Sequence, residues 1–157
     1  MLQGIDRFGI PVYYTNGPDQ PHYENGLYTG IYGQCVEYVR RWYIHMYGLS
    51  FVSIPNATDL WELPYTYSIK TQRLVPFRAI ANRKGFWPTI GSVLVFTPTT
   101  DAPHGHVAVV TNIHRNRIDL AEQNHSAHPW THPYSRSIPI DHVWRMKDCL
   151  GWKSIVF

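Results

Sequence analysis

The chain has 157 residues and a mass of 18.3 kDa, the length of one domain that can bury a full core. Hydrophobic residues make up 44% and charged residues only 16%, and eleven Tyr, six Trp and six Phe fill the gap, which excludes wholesale disorder and argues against a helical bundle or coiled coil. The net charge of +3 is scattered, with Arg40-Arg41 the densest basic group, so no nucleic acid is expected as a partner.

No apolar window approaches the length of a membrane span, and residues 1–7 lack the basic and apolar parts of a signal peptide. The expectation is a cytoplasmic protein without a membrane partner. Two cysteines, Cys35 and Cys149, are too few for a disulfide framework, and a single bridge between them stays open.

Residues 1–30 are turn-rich, with Asn16-Gly17-Pro18 and Asn25-Gly26, and Pro11 demotes the run Ile10–Tyr14 to edge strand or coil. The clearest helix covers 34–47: Cys35, Val39, Trp42 and Met46 form one apolar stripe, Glu37, Arg40, Arg41 and His45 lie off it, and Gly48 suits the stop. A second helix is predicted over 57–63, capped by Asn56 or Thr58 and ended by Pro64. Residues 64–88 give mixed signals. Strands follow at 92–96, 106–113 and 117–123, the latter two joined as a hairpin, and a last strand is predicted at 152–157. One early helix followed by consecutive strands reads as a single α+β domain over 1–157.

Cys35 falls in the first turn of the best-predicted helix, where free N–H groups and the dipole favour a thiolate nucleophile. A small buried apolar residue would fit there as well. His106 opens a strand after Gly105 and is placed to act as a base, or is a strand-end histidine with no special task. Glu122 and Asn124, two apart on one predicted strand, would share a face, with Glu122 accepting the imidazole Nδ1–H. Gln34 adds an amide beside the Cys35 N–H, and together they would form an oxyanion hole. His104, His106, His125, His128 and His132 invite a metal reading, but no zinc spacing is present, so neither metal nor cofactor is expected. The loop 97–104 has the composition of a lid or wall.

The strings Gly33-Gln34-Cys35-Val36-Glu37-Tyr38-Val39-Arg40-Arg41, Gly105-His106-Val107-Ala108-Val109 and Ala121-Glu122-Gln123-Asn124 together resemble the motifs of CHAP domains. These are the cysteine, histidine-dependent amidohydrolases/peptidases among the papain-like thiol hydrolases. The similarity is greatest to the glutathionylspermidine amidase branch. Gly91-Ser92 stands where many wall-degrading members carry Gly-Asp.

The resemblance implies an antiparallel sheet with the catalytic helix packed on it, and Cys35, His106 and Glu122 as a triad. It further implies that Arg40 holds the glutathione moiety, that Asn124 positions His106 or substrate, and that the ligand is a small glutathione–polyamine conjugate. With the chain ending at Phe157 and no ligase domain following, hydrolysis without synthesis is expected. The rival expectations are a peptidoglycan amidase or endopeptidase, and a conjugate-binding module without turnover.

Overall fold

A computed structural model describes residues 1–157. Thirteen regular elements follow one another, with two short 3₁₀ segments between them. They are β1 (Leu2–Ile5), β2 (Pro11–Tyr13), β3 (Pro21–Glu24), β4 (Leu27–Ile31), α1 (Cys35–Tyr47), β5 (Leu49–Ser50), β6 (Tyr65–Ser68), β7 (Leu74–Ala81), β8 (Val93–Phe96), β9 (His106–Ile113), β10 (Arg117–Ala121), β11 (Arg136–Pro139) and β12 (Cys149–Ile155). Eight strands form one antiparallel sheet in the order β11-β10-β9-β8-β12-β7-β6-β5, while β1-β2 and β3-β4 are separate hairpins. The fold is α+β and papain-like, as expected.

The apolar run Val93–Phe96 is buried throughout because the sheet is covered on both faces. Alternation divides its residues. Val93, Val95, Val107 and Val109 pack with Val39, Trp42 and Tyr43 of α1, whereas Leu94, Phe96, Ala108 and Val110 pack with Ile118, Leu120, Val143 and Trp152 on the opposite face. No helix is long and apolar enough to cross a membrane.

Helix α1 departs from a simple amphipathic reading. Of the predicted stripe, Cys35, Val39 and Trp42 are buried but Met46 is 38% exposed, and the off-stripe charges Glu37, Arg40 and Arg41 are buried as well. The hairpins β1-β2 and β3-β4 supply polar partners on that side, so charges satisfied internally replace an exposed polar face. Pro11 does not prevent β2 from pairing with β1.

The predicted second helix is a 3₁₀ segment, Ala57–Glu62, closed at its start by a reciprocal box between Asn56 and Asp59. Buried Lys153 holds its far end, with Nζ donating to the carbonyls of Trp61 (3.0 Å) and Leu63 (2.7 Å). Burial pushes that ammonium down to about 8. Both cysteines are free, and burial raises the Cys149 thiol to about 11.

Candidate active site

Helix α1 starts at Cys35, with Gln34 as an extended N-cap residue (φ −82°, ψ 154°) whose side chain makes no capping bond. That amide is therefore available for other work. The Gln34 carbonyl accepts from the Tyr38 N–H (3.3 Å) and from Gln123 Nε2 (2.8 Å), fixing the turn that presents Cys35. Cys35 is 6% exposed and lines a cleft of about 440 Å³ together with Gln34, Arg40, His106 and Asn124.

Gly105 places His106. Its φ is +77°, and a Cβ there would lie 1.7 Å from Thr58 Oγ1 and 2.6 Å from the Phe96 carbonyl. The same hydroxyl donates to the Phe96 carbonyl at 2.7 Å, and the Thr58 N–H donates to the His104 carbonyl at 3.3 Å. With His104 Nδ1 paired to Asn56 Oδ1 at 2.7 Å and the Thr97 N–H donating to Asp148, residues 97–105 form a tied wall of the cleft.

His106 Nε2 lies 2.8 Å from Glu122 Oε1, and His106 and Cys35 line the same cleft. The ring nitrogen toward Glu122 is thus Nε2, not the Nδ1 expected from the sequence, which leaves Nδ1 free of Glu122.

Burial alone would lower the His106 value, but the neighbouring Cys35 and the hydrogen-bonded Glu122 carboxylate raise it to about 9. Burial would raise Glu122, but the His106 hydrogen bond and the positive charges of Arg136, His106 and His125 bring it down to about 2. An imidazolium beside a sulfur and a carboxylate is therefore the stable arrangement at neutral pH.

Asn124 stands differently from the sequence expectation. Strand β10 ends at Ala121, and Asn124 has φ +60°, so it does not share a strand face with Glu122. Its Nδ2 donates to Gln34 Oε1 (3.1 Å), not to His106, which turns the Gln34 Nε2 end away from this contact. The residue that touches His106 is Glu122.

Arg40 is 3% exposed and not a solvated surface charge. It donates to the carbonyls of Phe51 (3.1 Å), Thr29 (2.8 Å) and Val52 (3.2 Å) and lies 4.5 Å from the centre of the Phe51 ring. Gly30 lets β4 approach, since a Cβ there would sit 3.0 Å from Arg40 Nη1 and from Glu37 Cα. The Arg40 guanidinium faces the cleft without a carboxylate partner.

Two further residues escaped the sequence reading. Gln123 is fully buried and uses both ends of its amide. Oε1 accepts from the Tyr13 N–H (2.9 Å) and Arg41 Nη2 (2.8 Å), and Nε2 donates to the Gln34 carbonyl (2.8 Å) and Glu37 Oε1 (3.1 Å). Arg136 donates from Nε to Glu122 Oε2 and from Nη2 to Glu122 Oε1, each at 3.0 Å. Neither position belongs to a residue pattern with a chemical signature. Gln123 lies inside the Ala121–Asn124 string, whose flanking residues draw the eye.

The histidines that invite a metal reading do not come together as one group. His104 bonds Asn56 and His132 stacks on Tyr134 at 5.1 Å, while His106, Glu122 and His125 bring ligand atoms within 4.8 Å of one another. Both oxygens of Glu122 already accept from the Arg136 guanidinium, a cation where a metal ion would have to sit. The donor set therefore fits a hydrogen-bonded pair better than a metal centre.

The family described as CHAP domain matches residues 22–124, well over half the chain. The bifunctional glutathionylspermidine synthetase/amidase of Escherichia coli (strain K12) is 28% identical over 142 residues, which cover 83% of this chain and 23% of that protein. Trypanothione synthetase of Crithidia fasciculata is 26% identical over 155 residues, covering 94% of this chain and 24% of that protein. The chain thus spans about a quarter of the length of these relatives. Among solved structures, Ly7917 with the hydrolysing product of MDP aligns over 78% of this chain and 53% of its own, at 14% identity and a TM-score of 0.52, a likeness of fold.

Proposed function

The chain belongs to the CHAP-domain family, whose members hydrolyse amide bonds, and from that premise we propose that it is a thiol amidase that cleaves the glycyl–spermidine amide of glutathionylspermidine or a related conjugate. The observation that carries the reading is one cleft holding a helix-start cysteine, an imidazole held by a buried carboxylate, and a buried guanidinium free of any carboxylate. A carboxylate-bearing substrate segment would give Arg40 the partner it lacks. Asp19 and Asp101 line the same cleft and carry the charge that suits a polyamine.

The Cys35 thiolate attacks the glycyl carbonyl carbon, and the oxygen takes up the electron pair. Gln34 Nε2–H and the Cys35 N–H donate to that oxygen. As the tetrahedral centre collapses, the C–N bond breaks and His106 passes its Nδ1 proton to the departing amine. A thioester to Cys35 remains. Neutral His106 then takes a proton from water, hydroxide adds to the thioester carbonyl, and the thiolate leaves as the free acid forms. Glu122 keeps the ring oriented throughout, and Asn124 holds Gln34 in place.

The test is incubation with glutathionylspermidine, following free glutathione and spermidine, beside a Cys35→Ala control. Cysteine-dependent release of both products is expected. Release that persists in Cys35→Ala would overturn the mechanism. No release from protein whose Cys35 still reacts with iodoacetamide would overturn the substrate and direct the search to peptidoglycan peptides. Stoichiometric binding of conjugate without product would make the chain a binding module.

A further inference from the structure

Arg136 is the first residue of β11, the edge strand, where it pairs with Leu120. Its guanidinium engages Glu122 side-on at both oxygens, so Oε1 receives two donors: Arg136 Nη2 at 3.0 Å and His106 Nε2 at 2.8 Å. The guanidinium carbon also lies 5.7 Å from the centre of the Phe96 ring, which packs 5.9 Å from the His106 ring. Carboxylate, imidazole and guanidinium are thereby locked around one aromatic plate.

We propose that Arg136 is a positioning residue of the thiol site: its two-point grip fixes the plane and the charge of Glu122, so that one oxygen stays aimed at His106. The proposal rests on the thiol-amidase reading above.

The Glu122 side chain is fully buried, and a buried carboxylate needs a cation or a proton. The groups facing it are His106 from β9, His125 from the following loop at 3.9 Å, the buried Tyr38 phenol of α1, whose ionisation it opposes, and Arg136 from β11. His106 surrenders its proton in every turnover, His125 is held below its usual value by burial, and Tyr38 stays neutral. Arg136 alone keeps a charge on Glu122 through the cycle. A lone carboxylate also rotates about its last bond. A guanidinium that bonds both oxygens stops that rotation, which one ammonium cannot do.

The experiment compares Arg136→Gln and Arg136→Lys with Arg117→Gln. Arg117 tethers β11 through Ser137, with Nε 3.1 Å from Oγ and Nη2 bonded to the carbonyl, but makes no bond to Glu122. The pH profile of Cys35 alkylation by iodoacetamide needs no substrate, and kcat and KM are measured on glutathionylspermidine. Thermal midpoints establish that each variant is folded.

For Arg136→Gln, the acid limb of alkylation should move up by about one pH unit. Its kcat should fall about 10- to 100-fold while KM stays within about twofold. Arg136→Lys should restore the limb but leave kcat about tenfold down, because charge returns without the fork. Arg117→Gln should match wild type. A folded Arg136→Gln with an unmoved limb, or an Arg117→Gln that reproduces the shift, overturns the proposal. Should Arg136→Gln not fold, a wild-type kcat in Arg136→Lys overturns it. If wild type cleaves no conjugate, the substrate reading fails, and the alkylation profiles still decide the role of Arg136.

Discussion

Truncating Gln123 to alanine separates polar satisfaction from packing beneath the site. The side chain makes four hydrogen bonds, to the Tyr13 N–H, Arg41, the Gln34 carbonyl and Glu37. After truncation the Gln34 carbonyl keeps the Tyr38 N–H, and Arg41 and Glu37 keep each other at 2.8 Å. The Tyr13 N–H has no other partner and costs about 1–3 kcal/mol when left unsatisfied. The bonds to the two charged groups contribute about 1.5–3 kcal/mol each, part of which water entering the vacated space would restore. The expected loss is about 3–5 kcal/mol. With a urea slope of about 2 kcal/mol/M, the unfolding midpoint should fall by about 1.5–2.5 M. Gln123→Met fills the same volume without polar atoms and should be within about 1 kcal/mol of alanine. A loss below about 1 kcal/mol for alanine, or recovery of most of it by methionine, would refute the claim that the hydrogen bonds hold this junction.

Gln34→Ala should lower kcat about 10²–10³-fold with KM little changed, since it removes one of the two donors proposed for the oxyanion; an unchanged kcat in amide hydrolysis would remove Gln34 from the mechanism. Gly105→Ala should cost about 2–4 kcal/mol in urea unfolding, from the left-handed backbone and the overlap with Thr58 and the Phe96 carbonyl. Adding Thr58→Ala should recover less than half, because the carbonyl 2.6 Å away remains. The His106–Glu122 pair fixes the sign of a pH dependence. The His106 value is raised from 6.5 to about 9, so its contribution to stability is whole below 6.5 and disappears as pH rises through 9. Glu122 is lowered from 4.5 to about 2, so its contribution is whole above 4.5 and disappears as pH falls through 2. Midpoints from urea unfolding should decline between pH 6.5 and 9, and Glu122→Gln should flatten that slope; an equal slope in the variant would place its origin elsewhere.

The elements that carry the thiol and the imidazole were readable because each has a clean period. Cys35, Val39 and Trp42 mark α1 at helical spacing, and the apolar runs of β8 and β9 are bounded by Gly91 and Gly105. The strands β6 and β7 were not readable. Tyr65–Ser68 has little apolar contrast, and Pro76 interrupts Leu74–Ala81, yet pairing with β12 and β6 holds the segment in the sheet. Strand β11 has only four residues of mixed burial, Arg136–Pro139, and gave no signal. The end of β10 was overextended, because alternation says nothing about where a ladder stops, and Asn124 turns away through a left-handed conformation.

The same limit explains which site residues could be found. The proposed nucleophile and base are recognisable by residue type in a local string, and Gln34, Cys35, His106 and Glu122 all lie in such strings. The groups that set their charge and aim are recognisable only once the chain is folded. Gln123 reaches Tyr13 and Arg41 across 110 and 82 positions, and Arg136 reaches Glu122 from the far side of a fourteen-position excursion. Buried polar groups of this kind are fixed by mutual satisfaction, which leaves no periodic trace. The consequence is specific to α1: Glu37 and Arg41, which a helical wheel assigns to water, are held inside by a glutamine from the strand end that also carries Glu122. One polar junction therefore fixes both the start of the helix that presents the thiol and the carboxylate that orients the imidazole.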